Sequence, residues 1–112
     1  MKYISYYHNP SSDSHHFDLE FKHINGNWKD EYELRKHILK RFKSFPFIDV
    51  GVFTVDGKVM IRISFFTNCR VEEGFGMSVT FLKDNKEHIF HFYEGGSGIH
   101  MKFNITHTDS VF

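Results

Sequence analysis

The sequence has very little cysteine and no long apolar run. Cys69 is the one cysteine in 112 residues, which excludes a disulfide within the chain and favours a reducing compartment. No run approaches the roughly 20 apolar residues that a membrane-spanning helix needs. Residues 1–16 also lack the apolar segment of a secretory signal. We therefore expect a cytoplasmic protein that does not contact a membrane.

Net charge and alanine are absent as well. The 14 Lys and Arg residues balance 14 Asp and Glu residues, so no overall field attracts nucleic acid or a membrane surface. Alanine is the strongest helix former, and its absence argues against a helical bundle. Aromatic residues instead make up 18% of the chain, with 14 Phe among them, and large rings favour strands. The composition predicts a domain that is mostly β-structure.

The clearest structural signal is a β-hairpin in the middle of the chain. Two apolar-rich runs, Ile48–Val55 and residues 58–66, flank the dipeptide Asp56-Gly57. An Asp-Gly pair between two such runs is typical of a two-residue type I′ turn. The second run alternates apolar side chains with others, which predicts a strand with one buried face. The alternating apolar residues are Val59, Ile61, Ile63 and Phe65.

Similar alternation predicts further strands before and after the hairpin. These strands cover residues 2–8, 16–24, 75–82, 87–93 and 99–106. Residues 9–14 and 67–74 are polar and predict loops, and residues 94–98, which are rich in glycine, predict a flexible connection. No element is predicted for residues 108–112.

One segment, residues 28–44, has the pattern of an amphipathic helix. Its apolar side chains recur at spacings of three and four and form one stripe, which consists of Leu34, Ile38, Phe42 and Phe45 with Leu39 and Trp28 or Tyr32 beside it. Asn27 or Asp30 is the expected N-cap, and Glu33 follows Asp30 at the spacing of a capping box. Pro46 prevents the helix from continuing into the hairpin.

Together these elements predict a single α+β domain over residues 1–112. We expect a curved, half-barrel-like antiparallel sheet of six or seven strands, packed against the one helix. Not every phenylalanine fits on one inner face of such a sheet. The surplus fills a barrel interior or a second small core, or else forms a partner surface. The side chains in question are Phe47, Phe53, Phe66, Phe90 and Phe92.

The residues that often carry chemistry form no catalytic motif. The nine histidines lack the spacing of a metal site, although strands can bring distant ones together, for instance His8, His16 and His100. Cys69 is either a nucleophile whose pKa is lowered by Arg70 or a small buried residue. The basic residues of the helix are balanced by acids at its other end, which does not favour nucleic-acid binding. We predict no catalytic residue, metal or cofactor.

Three features over about residues 27–105 carry a resemblance to a known group of proteins. They are Trp28 ahead of a helix with Glu33-Leu34 and Ile38, the strand-Asp-Gly-strand unit of residues 50–63, and the sequence Tyr-Glu-Gly-Gly at residues 93–96 before a terminal strand. In these features the chain resembles the small cytosolic immunity proteins of bacterial polymorphic-toxin and contact-dependent growth-inhibition systems.

The resemblance implies a non-enzymatic inhibitor that binds a cognate toxin domain and covers its active site. Residues that combine charge with an aromatic ring in predicted loops are the expected partner contacts. They are Glu72, Glu73, Phe75, Tyr93 and Glu94. Two alternatives remain open: a nucleic-acid-binding or other interaction module, and a small enzyme or ligand-binding barrel that uses histidines.

Overall fold

A computed structural model of the protein describes residues 3–107, with side chains up to residue 105, and within this range it confirms the α+β class. The elements are β1 (Ile4–Asn9), β2 (Ser14–Glu20), a short 3-10 helix (Phe21–His23), α1 (Glu31–Arg41), β3 (Ile48–Val55), β4 (Lys58–Phe65), β5 (Arg70–Gly74), β6 (Gly76–Lys83), β7 (Lys86–Gly95) and β8 (Gly98–His107). In the part of the chain described, no helix has the length and apolar character needed to span a membrane. Residues 108–112, for which no element was predicted, lie outside that range.

The strands form two open antiparallel sheets of four strands each. The first sheet has the order β1-β2-β4-β3, and the second has the order β5-β6-β7-β8. The antiparallel pairing that was predicted is confirmed. The described strands number eight instead of six or seven, and they are divided between two sheets because β2 pairs with β4 while the chain after β4 starts a separate sheet.

Two predicted connections were wrong. Within residues 67–74, predicted as a loop, β5 pairs with β6, and it is an edge strand in which only Val71 is partly buried. An edge strand so exposed carries no apolar alternation for a pattern search to find. The predicted flexible connection of residues 94–98 is also shorter than expected, because β7 and β8 extend to Gly95 and Gly98. Only a two-residue turn remains between them.

The central hairpin is confirmed. Asp56 and Gly57 have φ values of 51° and 77°, the positive values that a type I′ turn requires, and Val55 pairs with Lys58 across the turn. The predicted inner face is also confirmed in its main part. Three of its side chains, Ile61, Ile63 and Phe65, are fully buried.

The helix is shorter than the predicted residues 28–44. Asp30 is the N-cap, and its side chain accepts a hydrogen bond of 2.8 Å from the backbone N–H of Glu33. The Glu33 carboxylate in turn accepts from the backbone N–H of Lys29 at 3.1 Å, which completes a capping arrangement. The helix ends at Arg41, and Trp28 precedes it. The predicted stripe is buried as expected, with Leu34, Ile38, Phe42 and Phe45 as its members.

A shared core joins the inner faces of the two sheets. Phe17 of β2 stacks on Phe92 of β7 with ring centroids 5.0 Å apart, and Phe42 at the end of α1 lies 4.9 Å from Phe90. Phe90 and Phe92 therefore belong to the core and are not spare surface rings. Phe66, by contrast, remains 50% exposed on the first sheet. The second sheet thus has one face fixed inward by aromatic packing and an opposite face turned outward.

Candidate functional site

Four of the five predicted partner-binding residues lie in strands, so the expectation that they occupy loops was wrong. Glu72 and Glu73 belong to β5, and Tyr93 and Glu94 belong to β7. Only Phe75 lies in a connection, between Gly74 and Gly76. Successive side chains of a strand point to opposite faces, so Glu72 and Glu73 lie on opposite faces of the second sheet, and so do Tyr93 and Glu94.

The structure brings Phe75 and Tyr93 together on the outer face of that sheet. Phe75 is 76% exposed, and its ring centroid lies 5.4 Å from that of Tyr93. Gly76 permits this approach, because a Cβ there would lie 2.1 Å from the carbonyl oxygen of Phe92. His91 fixes the backbone at the same point, since its Nε2 donates a 2.7 Å hydrogen bond to the carbonyl of Phe75.

Three more side chains surround Tyr93, two on the neighbouring strand β8 and one on β7 itself. His100 is its direct cross-strand partner, and the two rings stack 4.8 Å apart. The ring of His91 lies 5.4 Å away, and Lys102 Nζ lies 5.4 Å from the centre of the Tyr93 ring, within cation-π distance. We call these five residues the Tyr93 patch: Phe75, His91, Tyr93, His100 and Lys102. Only Phe75 and Tyr93 were identified from the sequence. The positions of His100 and Lys102 depend on strand register, and His91 was not singled out although it lies two residues before Tyr93 on the same face of one strand.

Glu72 lies on the same outer face as the Tyr93 patch, in register with Ser78, His91 and Lys102 across the sheet. Its carboxylate pairs with Arg70 at 2.6 Å, and both side chains are at least 60% exposed. Such an exposed pair adds little to folding stability. The outer face therefore has an acid at the β5 edge and Lys102 at the β8 edge.

Glu73 and Glu94 do not join the patch. Glu73 is in register with Met77 and Phe92, whose side chains point into the core, so it lies at the margin of the inner face. Glu94 Oε1 accepts a hydrogen bond from the backbone N–H of Tyr3, which ties the second sheet to the residue just before β1. The geometry gives Glu94 a role in holding the two sheets together.

A groove of about 380 Å³ adjoins the Tyr93 patch between α1 and β8. Trp28 and Arg41 line its helix side, and Met101 and Phe103 line its strand side. Lys102 belongs to both the groove and the patch, so the two surfaces are continuous.

The edge of β8 that borders this groove is open in the part of the chain described. The Asn25 N–H donates to the Ile99 carbonyl at 2.9 Å, so the backbone of Ile99 points away from β7. Backbone groups two residues apart point to the same side, so those of Met101 and Phe103 point toward the groove.

A second group of polar side chains lies on the first sheet. His16 forms two 2.8 Å hydrogen bonds, one between Nε2 and Ser14 Oγ within β2 and one between Nδ1 and Ser64 Oγ of β4. Both serines are buried, with at most 6% of their surface exposed, so their hydroxyls do not face a substrate. Beside them Arg62 forms a two-pronged ion pair with Asp18, at 2.7 and 2.9 Å. These contacts connect β2 to β4.

Cys69 has the properties of a partly buried thiol. Burial, and to a smaller extent the charge of Asp13, raises the pKa of Cys69 to about 11. The alternative in which Arg70 activates it was therefore wrong, because Arg70 pairs with Glu72 instead.

Comparison with known proteins gives no match to a protein-family model, a curated protein or a solved structure. Any functional argument therefore depends on the surface of the molecule itself. On that surface, the Tyr93 patch combines an exposed ring, a stacked aromatic group and a cation on one rigid sheet.

Proposed function

We propose that the protein is an immunity protein, a non-enzymatic inhibitor that binds a cognate toxin domain through the Tyr93 patch and covers the toxin's active site. One observation carries the proposal: Phe75 is 76% exposed although its backbone is fixed against β7. A large ring held on a rigid support loses little entropy when a partner buries it. Tyrosine and other aromatic residues of this kind dominate the binding energy of many interfaces.

The size of the expected effect follows from exposure. Full burial of a phenylalanine side chain contributes about 1.5–3 kcal/mol, so covering the exposed three quarters of Phe75 contributes on the order of 1–2 kcal/mol. Tyr93 lies in the middle of the patch and contacts Phe75, His100 and Lys102. Its removal would therefore also disorganise its neighbours. Each truncation should weaken binding by roughly 10-fold or more.

The adjoining groove gives the partner a second contact area. Arg41 and Lys102 supply positive charge there, and the open edge of β8 can pair with an extended backbone segment of the partner. Glu72, at the far side of the sheet, can meet a basic side chain of the toxin once it leaves Arg70. The interface would thus be aromatic at its centre and charged at its rim.

The test is coexpression with the product of the gene immediately upstream of this one. We expect a stoichiometric complex and protection of the host cell from the toxin. Phe75→Ala and Tyr93→Ala should raise the Kd at least about 10-fold, whereas Phe66→Ala is a matched control, since Phe66 is also exposed but lies on the first sheet. Absence of a complex and of protection would refute the inhibitor. Equal Kd values for all three variants would refute the Tyr93 patch as the binding surface and would leave the inhibitor function standing.

Single-stranded nucleic acid is a second candidate ligand, favoured by the position of Lys102 over the Tyr93 ring. An aromatic platform with a cation beside it is typical of proteins that stack unpaired bases. The balanced charge of the chain favours nucleic acid less than a protein partner. Gel retardation of short oligonucleotides would support it if affinity fell with salt and was lost in Tyr93→Ala.

A further inference from the structure

The turn end of the β1–β2 hairpin brings together two histidines and an aspartate. His8 and His15 are direct cross-strand partners, and their rings stack with centroids 4.3 Å apart. Asp13 lies in the turn between the strands with a φ of 48°. One ligand atom from each of the three side chains lies within 4.8 Å of the other two.

The distances between these atoms fit a tetrahedral ion. Asp13 Oδ1 lies 3.0 Å from His8 Nε2 and 3.8 Å from His15 Nε2. When bonds to zinc are about 2.0–2.1 Å long, tetrahedral geometry separates neighbouring ligand atoms by about 3.3–3.4 Å. The two measured distances bracket that value. The third distance, between the ligand nitrogens of His8 and His15, is at most 4.8 Å, and the two stacked rings would rotate to direct both lone pairs at one ion.

A neighbouring tyrosine orients the most buried of the three ligands. The hydroxyl of Tyr6 lies 2.8 Å from His15 Nδ1, and when Nδ1 donates this hydrogen bond, Nε2 carries the lone pair that binds an ion. Ligand histidines are commonly fixed through their second ring nitrogen in this manner.

A hydrogen bond between His8 and Asp13 accounts for only part of this arrangement. It explains the 3.0 Å contact, but His15 Nε2 lies 3.8 Å from the same carboxylate, too far for a hydrogen bond. Among the described residues, His15 makes its one hydrogen bond through Nδ1. The remaining nitrogen points to the space between the three side chains.

We propose that His8, Asp13 and His15 bind one Zn²⁺ ion, with the fourth position open to water or to a group from a partner. Two imidazoles and one carboxylate are a ligand set that zinc accepts with an open position. The ion would clamp the end of β1, which is an edge strand of the first sheet. This inference does not depend on the proposed inhibitor function.

The experiment is titration of the full chain, first stripped of metal with a chelator, with ZnCl₂ in a calorimeter, together with visible spectroscopy of the Co²⁺-loaded protein. We expect one site that involves these residues and a d–d absorption of tetrahedral intensity. Asp13→Asn and His8→Asn should weaken Zn²⁺ binding at least tenfold. Asn retains the shape of Asp and accepts the positive φ of residue 13.

The matched control is His37→Asn, which removes an exposed imidazole on α1 and should leave Zn²⁺ binding unchanged. A thermal scan gives a second readout, because zinc should raise the melting temperature of the wild-type chain and of His37→Asn but not that of Asp13→Asn. Failure to bind Zn²⁺, or equal affinity in Asp13→Asn and the wild type, would overturn the proposal.

Discussion

Replacing Phe92 with alanine tests which face of the second sheet points inward. Phe92 is fully buried, stacks on Phe17 of the other sheet at 5.0 Å and lies 4.4 Å from the ring of Phe90. Phe75 offers the same chemical change on the opposite face, where it is 76% exposed. The pair of variants Phe92→Ala and Phe75→Ala therefore compares an inner ring with an outer one.

The expected magnitudes differ widely. Truncation of a buried phenylalanine costs about 3–5 kcal/mol, because contacts are lost and a cavity remains. A 112-residue domain has an unfolding entropy of about 0.24 kcal/mol/K, so Phe92→Ala should lower the melting temperature by roughly 13–21 °C. Phe75→Ala should change stability by no more than about 0.5 kcal/mol, or about 2 °C.

Calorimetric melting and urea titration at 25 °C measure both effects. If Phe92→Ala is unfolded at that temperature, Phe92→Leu, which fills more of the cavity, should fold with an intermediate loss. The reasoning would be refuted if Phe92→Ala lost less than about 1 kcal/mol, or if Phe75→Ala lost as much as Phe92→Ala. Either result would mean that the outward face has been assigned wrongly.

Three further predictions concern buried groups and close contacts. The metal-free protein should lose stability from about pH 7 to about pH 5, because burial lowers the pKa of His15 and His16 and the unfolded chain therefore takes up protons first. In urea titrations the free energy of unfolding should depend less steeply on pH in His16→Asn than in the wild type. A protein that is more stable at acid pH would contradict the direction of these pKa shifts. Cys69, whose pKa burial raises to about 11, should react with iodoacetamide at pH 8 more slowly in the folded chain than in urea, and equal rates would contradict its burial. Gly76→Ala should lower the urea midpoint more than Gly57→Ala does. A Cβ at Gly76 would lie 2.1 Å from a backbone oxygen, whereas a Cβ at Gly57 would have no atom within 4 Å. Equal losses would contradict the close approach of the Phe92 carbonyl to Gly76.

Local signals account for the parts of the fold that the sequence predicted. Asp56-Gly57 specifies a turn within two residues, and the spacing of Leu34 and Ile38 specifies one face of a helix, so neither depends on distant contacts. The division into two sheets does depend on distant contacts, because β2 pairs with β4, which follows it in the sequence only after α1 and β3. The strand β5 was missed since its pairing with β6 is made by backbone groups under mostly exposed side chains.

The candidate sites likewise depend partly on residue type, which the sequence shows, and partly on strand pairing, which it does not. Phe75 and Tyr93 were chosen for their chemistry, but their contact depends on the register of β6 with β7. The proposed zinc ligands had a usable signal that was overlooked. A short turn between two predicted strands places residues at equal distances from the turn opposite each other, which pairs His8 with His15. His8 was instead grouped with His16 and His100, which the structure separates, since His16 binds Ser64 and His100 binds Asn25.

The most direct test of the proposed binding surface is hydrogen exchange of the protein alone and in complex with the partner that the coexpression identifies. The backbone amides around Phe75 and Tyr93 and those of Met101 and Phe103 should exchange more slowly in the complex, because the partner covers the patch and the open edge of β8. The β3–β4 hairpin, on the first sheet, should be unchanged. Protection confined to the first sheet, with residues 75, 93 and 101–103 unaffected, would contradict the account.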